Sequence, residues 1–450
     1  MLIRFIVKNL LSFHNETEFN LLPGRYHRLQ HHIKSEAGID LLKLNVIYGA
    51  NGAGKSNLIQ ALTMLRDFVV DGEIPIKLIN NTFKFDKESR KKDIYLGVEF
   101  IKNDIPYYYG ITLNQGTITE EELLISGLAK SDEKLLFRRT GKVNSNNINL
   151  DFSPAVTADK EAALFPPFLK NEILQRNIPV LHYMSNRQNE VFAPFKAVFD
   201  WFKYGIELIP AGAVPKGMPI LIEMDKKFHE FARHTMNTFG TGIADIHIET
   251  IPIDEFFGKE NKMQAEQIKE YLQANPREHK SLNYSFGEVN FVLSDDKVEA
   301  KTIFFTHTED KGAERFYPTQ ESDGTRRLLD YIPALFTLIS KDKTYFIDEV
   351  ERSIHPLLIK ELIKKFSHDT HTKGQLIFST HESNLLDQEI FRPDEIWFVE
   401  KNKLGASELY TLSEFKEHHT IDIRKGYLNG RYGAIPFLAN LRDLNWEEYA

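Results

Sequence analysis

The 450-residue sequence contains no cysteine. This absence excludes disulfide bonds, thiolate nucleophiles and cysteine-ligated metals, and it suits the reducing cytoplasm, where we expect the protein. The sequence also lacks any run of roughly 18 uncharged apolar residues, so we expect no membrane-spanning helix and no membrane partner. The first residues, MLIRFIVKNLLSF, have neither the long apolar core nor the small-residue cleavage site of a signal peptide, and we expect none.

Basic residues are in the minority: 56 Lys and Arg stand against 64 Asp and Glu, a formal net charge of -8. This balance excludes a uniformly basic nucleic-acid-binding surface but leaves a local basic groove open. Hydrophobic residues at 42% and charged residues at 27% are ordinary globular values, which excludes a mainly disordered or fibrous chain. At this length we expect one large composite domain or two domains.

Patterns of apolar residues divide the chain into three predicted segments, 1–190, 191–285 and 286–450. The first contains short apolar strands and a long amphipathic helix after Ser56. The second has apolar residues at helical spacing and is predicted to be a helical insertion. In the third, strands and helices alternate, which predicts a parallel sheet with flanking helices. The expected fold class is therefore α/β.

The first segment is also predicted to contain an antiparallel β subdomain. Its stretch IYLGVEFIKNDIPYYYGITL predicts a hairpin or meander with Asn103 and Asp104 at a turn, because runs of β-branched and aromatic residues flank these two turn-forming residues. The stretch VLHYMS, residues 180–185, is predicted to be a further buried strand. The other strands predicted in this segment lie at residues 2–7, 18–22, 44–48, 135–139 and 148–152.

A complete GxxxxGK[ST] phosphate-loop motif, Gly49 to Ser56, lies between a predicted strand and a predicted helix. Its glycines let successive backbone N–H groups turn towards one point, and the helix start adds a positive dipole. We expect Lys55 to reach the β- and γ-phosphates of ATP and Ser56 to bind Mg²⁺. An accidental glycine-rich turn would not explain the full motif in this setting. The predicted nucleotide-binding residues here are Gly49, Asn51, Gly52, Ala53, Gly54, Lys55, Ser56 and Asn57.

An acidic pair, Asp348 and Glu349, follows a strand predicted at residues 345–347. Open α/β sheets bind ligands at the carboxyl ends of their strands, so we expect both carboxylates beside the phosphate loop. Asp348 is predicted to hold Mg²⁺ through water, and Glu349 to orient or deprotonate the water that attacks the γ-phosphate. Such a pair is common after strands, and only together with the phosphate loop does it indicate catalysis.

A third motif, Ser322-Asp323-Gly324-Thr325, precedes an amphipathic helix that Pro333 is predicted to kink. A serine hydroxyl, a bare glycine and a helix N-terminus form an anion site, although a simple N-cap is the plainer interpretation. The order of phosphate loop, distant S-x-G-T and strand-Asp-Glu resembles the ABC-type ATPase heads of RecF, SMC and OLD proteins in the AAA family. This resemblance implies that Ser322, Gly324 and Thr325 contact an ATP bound by a neighbouring subunit, so that the protein is a homo-oligomer of at least two heads.

His381 follows another predicted strand, at residues 375–379. In ABC-type heads a histidine at this place contacts the γ-phosphate, so the resemblance implies a catalytic role for His381. The resemblance also includes a Mg²⁺-sensing glutamine, for which Gln188 is a candidate, with an ordinary surface-loop residue as the equal alternative. His355 stands where transporter heads carry an aspartate, and the resulting E-x-x-x-H-P form looks like RecF-like and OLD-like heads rather than a transporter subunit.

The resemblance covers residues 1–190 and about 300–400. The tail KGYLNGRYGAIPFL, residues 425–438, is similar to that of stand-alone ATPases of bacterial defence islands, including RloA-like proteins and the AriA subunit of the PARIS anti-phage system. This likeness implies an ATP- and Mg²⁺-dependent ATPase whose heads pair on ATP and switch a separate effector protein. The chain has no nuclease motif of its own, so a nuclease effector would be another protein.

The alternative function is that of a RecF-like DNA repair or replication ATPase that binds duplex DNA. Lys226, Lys227, Arg233 and His234 suggest one basic face and residues 90–92 a second. Acidic residues neighbour both groups, so a solvated charged surface is the plainer interpretation.

Three histidines, His27, His31 and His32, fall in a polar stretch near the N-terminus. Their spacing would allow metal ligation on a helix, but no pattern of carboxylates completes a metal site. The stretch is therefore predicted to be a solvated surface loop.

Overall fold

The computed structural model describes residues 1–129, 133–141, 148–173, 177–309, 312–415 and 421–435. The chain divides into two compact units. Unit 1 comprises Met1–Ala211, Ser340–Val350 and Lys360–Ala450, and unit 2 comprises Gly212–Ile339 and Glu351–Ile359. The segment boundaries expected near residues 190 and 285 stay predictions.

The strands of the described residues are, in chain order, β1 (Leu2–Lys8), β2 (Thr17–Asn20), β3 (Ile33–Glu36), β4 (Ile39–Leu42), β5 (Leu44–Tyr48), β6 (Ile94–Lys102), β7 (Ile105–Asn114), β8 (Thr117–Ile125), β9 (Lys134–Thr140), β10 (Asn149–Phe152), β11 (Ile206–Ile209), β12 (Ile243–Pro252), β13 (His279–Tyr284), β14 (Gly287–Ser294), β15 (Lys297–Glu309), β16 (Gly312–Phe316), β17 (Thr344–Ile347), β18 (Gln375–Thr380), β19 (Ile396–Lys401) and β20 (Ser407–Thr411).

The α-helices of the same residues are α1 (Lys55–Asp71), α2 (Ile76–Asn80), α3 (Pro154–Ala158), α4 (Phe165–Phe168), α5 (Val180–Met184), α6 (Ala193–Asp200), α7 (Met218–Met224), α8 (Lys226–Thr238), α9 (Ile253–Phe257), α10 (Lys262–Ala274), α11 (Asp323–Ser340), α12 (Pro356–His368) and α13 (Ile423–Leu428). Among the helices that the structure describes, none has both the length and the apolar character needed to cross a bilayer.

The central sheet of unit 1 has the strand order β11-β17-β18-β5-β19-β20. Every neighbouring pair is parallel except β19 and β20, which confirms the predicted parallel sheet. All five residues of β5 are buried, as expected for a strand covered on both faces. The carboxyl ends of the parallel strands therefore meet at one edge of this sheet.

A second sheet of unit 1, ordered β10-β9-β8-β7-β6-β1-β2, is antiparallel and forms the predicted β subdomain. The predicted hairpin joins β6 to β7, and its turn residues Asn103 and Asp104 have φ angles of 52° and 58°. Such left-handed turns match the twist of paired strands. The core beside this sheet includes Trp201, whose ring stacks on that of Phe100 with centroids 3.8 Å apart.

The stretch VLHYMS is not a strand: it forms α5. Its first two N–H groups, those of Val180 and Leu181, donate to the carboxylate of Glu121 at 2.8 and 3.1 Å. Glu121 is fully buried, which raises its pKa, while the nearby Arg139 acts in the opposite direction. Because a carboxylate from β8 stabilises the start of α5, the helix depends on a residue remote in sequence, and the local apolar pattern alone led to the wrong prediction.

The predicted surface loop around the first histidines is exposed at His27 but not at His32, which is fully buried. Nδ1 of His32 lies 2.9 Å from both carboxylate oxygens of Glu395, and burial lowers the pKa of His32 to about 3. Burial likewise lowers the pKa of His31 to about 4. The surface-loop prediction was therefore wrong for His32, because its ring is buried and Nδ1 contacts a carboxylate distant in sequence. Within the described residues, no cluster of three or more potential metal ligands occurs.

Unit 2 contains a mainly antiparallel sheet ordered β12-β15-β14-β13, with β16 paired to β15. One apolar cluster packs α7 and α8 against β12 and β15, and another packs α9 and α10 against β14 and β15. The helices expected within residues 191–285 are present, but the strands β11, β12 and β13 lie among them. Helix α11 continues through Pro333.

Candidate functional site

The phosphate-loop motif joins β5 to α1, and its glycines occupy positions that a larger residue could not. A Cβ atom on Gly49 would lie 2.5 Å from the carbonyl oxygen of Val399. Gly54 has a φ of 120°, and a Cβ there would meet the hydroxyls of Ser12, at 2.8 Å, and Ser407. Gly52 has a φ of 76°. The backbone thus follows a path that requires glycine for conformation and for space.

The side chain of Lys55 is buried, with 5% of the residue exposed, at the first position of α1. Its Nζ donates to the carbonyl oxygens of Gly49, at 2.8 Å, and Ala50, at 3.3 Å. It also lies 3.1 Å from Nε2 of His381. Two residues predicted for the site from separate motifs, Lys55 and His381, are therefore in contact.

Two serines that no sequence motif marks support this loop. The Ser407 hydroxyl donates to the carbonyl oxygen of Ala53 at 2.5 Å and lies 2.7 Å from the Ser12 hydroxyl. The Ser12 hydroxyl in turn accepts a hydrogen bond from the side-chain amide of Asn57 at 2.8 Å. Asn57 is thus placed below the loop as a support, whereas Asn51 and Ser56 are exposed.

The acidic pair lies at the same sheet edge as the phosphate loop. Strand β18 lies between β17 and β5, and all three are parallel in register. Asp348, His381 and Gly49, each the first residue after one of these strands, therefore emerge together. This is the edge at which open α/β sheets bind ligands.

Ser379 on β18 contacts both residues of the acidic pair. Its hydroxyl donates to the carboxylate of Asp348 and accepts from the backbone N–H of Glu349 at 2.9 Å. Asp348 is 6% exposed, whereas Glu349 is half-buried and has a φ of 52°, in the left-handed region that non-glycine residues rarely adopt. No sequence motif marks Ser379, although its place near the end of the strand that precedes His381 is a usable signal.

The third motif, Ser322 to Thr325, which we call the signature motif, belongs to unit 2, whereas the phosphate loop and the acidic pair belong to unit 1. The exposed Ser322 accepts from the backbone N–H of Thr325 at 3.1 Å, and its hydroxyl lies 2.9 Å from that of Thr325. A Cβ on Gly324 would lie 2.9 Å from the carbonyl oxygen of Ser353. The serine therefore caps α11, and its contact with a partner's ATP stays a prediction.

The remaining residues singled out from the sequence lie at the surface. Gln188 is exposed, in the turn after α5. His355 is exposed, and its Nδ1 accepts from the backbone N–H of Leu357 at 3.2 Å. The roles expected of Gln188 and His355 from the resemblance stay predictions. The tail similar to those of defence ATPases is described as far as Ile435, and its last residues lie outside the described ranges.

The basic groups of the DNA-binding alternative are exposed but interspersed with acids. On α8, Glu230 lies between the basic residues Lys226, Lys227, Arg233 and His234, and all five are exposed. In the other group, Lys91 and Lys92 form ion pairs with acidic neighbours at 3.0 and 2.8 Å. The positions of these residues therefore do not favour a nucleic-acid-binding surface over an ordinary solvated one.

The residues at the sheet edge suit a nucleoside triphosphate with Mg²⁺. Glycines that leave no room for a Cβ keep the loop backbone accessible to phosphate. The buried carboxylate of Asp348 and the exposed hydroxyl of Ser56 are oxygen ligands of the kind that Mg²⁺ prefers. The donor set therefore fits both the ligand and the ion.

In comparisons with known families, the one described as "AAA domain, putative AbiEii toxin, Type IV TA system" matches residues 44–215 and 221–387, more than half of the chain. No curated protein matches the sequence.

Similar solved structures include three SMC heads. One, an SMC head bound to the C-winged helix domain of ScpA, is 13% identical with a TM-score of 0.42, over 92% of this chain and 99% of that one. The SMC head domain from Thermotoga maritima is 14% identical with a TM-score of 0.36, over 91% and 98%. The SMC head with an extended coiled coil from Pyrococcus furiosus, bound to the C-terminal domain of ScpA, is 14% identical with a TM-score of 0.39, over 92% and 99%.

Proposed function

Because the chain belongs to this family of AAA domains, we propose that it binds and hydrolyses ATP between two paired copies of its head. The observation that carries this proposal is the meeting of three motifs at one sheet edge. There the Lys55 ammonium lies 3.1 Å from His381, and the acidic pair follows the strand next to that of His381. We place this activity in the cytoplasm, as the sequence led us to expect.

In this proposal the phosphate loop and Lys55 bind the triphosphate. Ser56 and Asp348 hold Mg²⁺, which when bound neutralises charge on the β- and γ-phosphates. Glu349 orients the attacking water and takes its proton at a carboxylate oxygen. The bond between the γ-phosphorus and the bridging oxygen breaks as the water oxygen attaches, and ADP and phosphate leave. His381 donates a hydrogen bond towards the γ-phosphate.

The signature of a second copy completes the site. Ser322 and Gly324 stand at the start of α11, where Ser322 is exposed and the helix dipole favours an anion. ATP held by one copy would gain contacts from the other through its γ-phosphate, and ADP would lack them. Hydrolysis would therefore separate the pair, which makes the assembly an ATP-gated switch.

Mixing two inactive variants tests whether the site is shared. Lys55→Ala removes the phosphate contact and Ser322→Arg blocks the signature, so each alone should lose ATP hydrolysis. In a mixture, the mixed pair contains one intact composite site, and activity should return to about a quarter of the wild-type rate for free exchange. Ser322→Arg should still bind ATP, which controls for folding. A mixture as inactive as its components would contradict a shared site.

The acid's role is tested with Glu349→Gln. This variant should bind ATP normally but hydrolyse it about 100-fold more slowly or worse, because the water loses its base. With ATP and Mg²⁺ it should elute from a sizing column as a stable pair, and with ADP as separate chains. Wild-type hydrolysis rates in this variant would remove Glu349 from the proposed chemistry.

We further propose that the switch serves a separate effector, such as a nuclease, in anti-phage defence. The likeness of the tail to those of defence ATPases supports this, and the family description includes a toxin of type IV toxin–antitoxin systems. Tagged Glu349→Gln should retain a specific protein from its native host in ATP and release it in ADP, with Lys55→Ala as the matched control. Retention of no protein, or of DNA alone, would contradict an effector.

A further inference from the structure

Unit 2 contains a cavity of about 430 Å³ below the start of α11. Its apolar wall includes Val214, Met218 and Leu329. The charged part of the wall includes Arg326 and Arg327, which directly follow the signature. No residue of this wall is among those predicted to bind nucleotide. The cavity has the size of a small-molecule site, with an apolar body and a few polar groups.

Arg327 is the most deeply buried of the charged wall residues, with 5% exposed. Its Nη1 donates to the carbonyl oxygen of Ala213 at 2.7 Å, and its guanidinium lies 4.5 Å from the ring centre of Tyr331. Its Nε and Nη2 are buried without a hydrogen-bond partner in the described part of the chain. Buried unsatisfied donors are costly, so an acceptor supplied by a ligand would be favoured here.

Acidic residues also line the cavity, but each already has a partner. Asp323 pairs with Arg326, and Glu288 accepts from the backbone N–H of Gly217 at 3.0 Å. Asp330 lies 3.7 Å from Nη1 of Arg327, and burial raises the pKa of Asp330 to about 6. Nε and Nη2 of Arg327 and the hydroxyl of Tyr284 are therefore groups of this wall that a ligand can satisfy, and the positive charge of Arg327 favours an anionic ligand.

We propose that this cavity binds a small anion with an apolar body, placing an aromatic group against Val214 and Met218 and a carboxylate, sulfonate or phosphate group at Arg327. This ligand would be distinct from ATP, and its site would lie against the helix that begins at the signature. The proposal does not depend on the proposed ATPase activity, because all of its wall belongs to unit 2.

Two dyes with the same aromatic body test the chemistry. 1-Anilinonaphthalene-8-sulfonate carries one anionic group, whereas N-phenyl-1-naphthylamine carries none. Titrated into the full chain, the sulfonate dye should show saturable fluorescence with one site per chain. The neutral dye should bind at least about 5-fold more weakly, since it lacks a charge-assisted hydrogen bond to arginine. Equal affinities would overturn the anionic assignment.

A pair of glutamate substitutions locates the site. Val214 lines the cavity and is 66% exposed, while Met224 is 79% exposed and lies outside the wall, so neither change should disturb the fold. Val214→Glu should weaken binding of the sulfonate dye at least about 10-fold by placing a like charge beside it, and Met224→Glu should leave it unchanged. Equal effects, or no saturable binding to the wild-type chain, would overturn the proposal. Both variants should bind ATP normally, so a failure here is distinguishable from a failure of the proposed function.

Discussion

Helices α1 and α11 both begin at a motif of small residues expected to hold phosphate, yet their first turns differ. Helix α1 starts after Gly54 with no side-chain cap. At the start of α11, the hydroxyl of Ser322 already accepts from the N–H of Thr325. A phosphate at the start of α1 would meet backbone N–H groups that no capping side chain occupies. A phosphate at the start of α11 would have to share or replace the hydrogen bond from the Thr325 N–H to the Ser322 hydroxyl. The start of α1 is therefore suited to firm binding of phosphate, and the start of α11 to a reversible contact with it.

The buried faces of the two helices differ as well. Apart from Lys55, the buried residues of α1 are apolar. Helix α11 buries Arg327 and most of Asp330 among its apolar residues. A purely apolar face stabilises its helix independently of pH, whereas the stability of a helix with a buried carboxylate depends on pH.

The largest expected effect is on ATP affinity, which should distinguish the phosphate loop from the signature motif. Lys55→Ala should weaken ATP binding at least about 100-fold, because it removes a charge-assisted contact to the phosphates. Ser322→Ala should change the affinity of the isolated chain less than about 2-fold, because its own loop does not bind that ATP. Isothermal titration calorimetry measures both. Equal losses would break the comparison between the helix starts.

An intermediate effect on ATP affinity is expected from Ser407, whose hydroxyl supports the phosphate loop. Ser407→Ala removes the donor to the Ala53 carbonyl and should weaken ATP binding about 10-fold, because the loop loses a fixed position. Ser413→Ala, whose hydroxyl contacts Thr411, is the matched control and should leave affinity unchanged. The same titration checks both variants. An unchanged affinity in Ser407→Ala would show that the loop holds its shape without this bond.

The smallest effect concerns stability. The folded-state pKa of Asp330, about 6, lies above its usual 3.8, despite the nearby cations of Arg326 and Arg327. Ionisation therefore favours the unfolded state: the penalty is absent below about pH 4 and complete above about pH 6. Asp330→Asn should raise the free energy of unfolding by about 1–2 kcal/mol at pH 8 and by little near pH 4.

Urea unfolding at the two pH values measures this difference. Asp323→Asn is the control, because Asp323 is exposed and should contribute less than about 0.5 kcal/mol at either pH. A gain for Asp330→Asn that is the same at pH 4 and pH 8 would show that ionisation is not its cause.

The sequence predicted those parts of the site that are contiguous in the chain. The glycines and Lys55 of the phosphate loop lie in one motif, and apolar runs identified β5, β17 and β18 as strands. Parallel strands then bring Asp348 and His381 to one edge by geometry alone. The family match confirms the AAA assignment that these motifs suggested.

The parts that could not be predicted depend on distant partners. Ser407 contacts a loop residue 354 positions away, and no local pattern marks a serine for that role. The start of α5 depends on Glu121, 59 positions before it. The buried ring of His32 has its Nδ1 partner in Glu395, 363 positions later. In each case a single long-range polar contact overrides the local preference, which only the folded chain reveals.

The left-handed backbone of Glu349 has a consequence for the evolution of this site. A non-glycine residue at a φ of 52° carries a conformational penalty that glycine avoids. Glu349→Gly should therefore stabilise the fold by about 1 kcal/mol while removing the proposed base. Selection for stability alone would replace this acid. Conservation of Glu349 among related proteins would therefore indicate selection for ATP hydrolysis. Relatives that no longer need to hydrolyse ATP should lose Glu349 early.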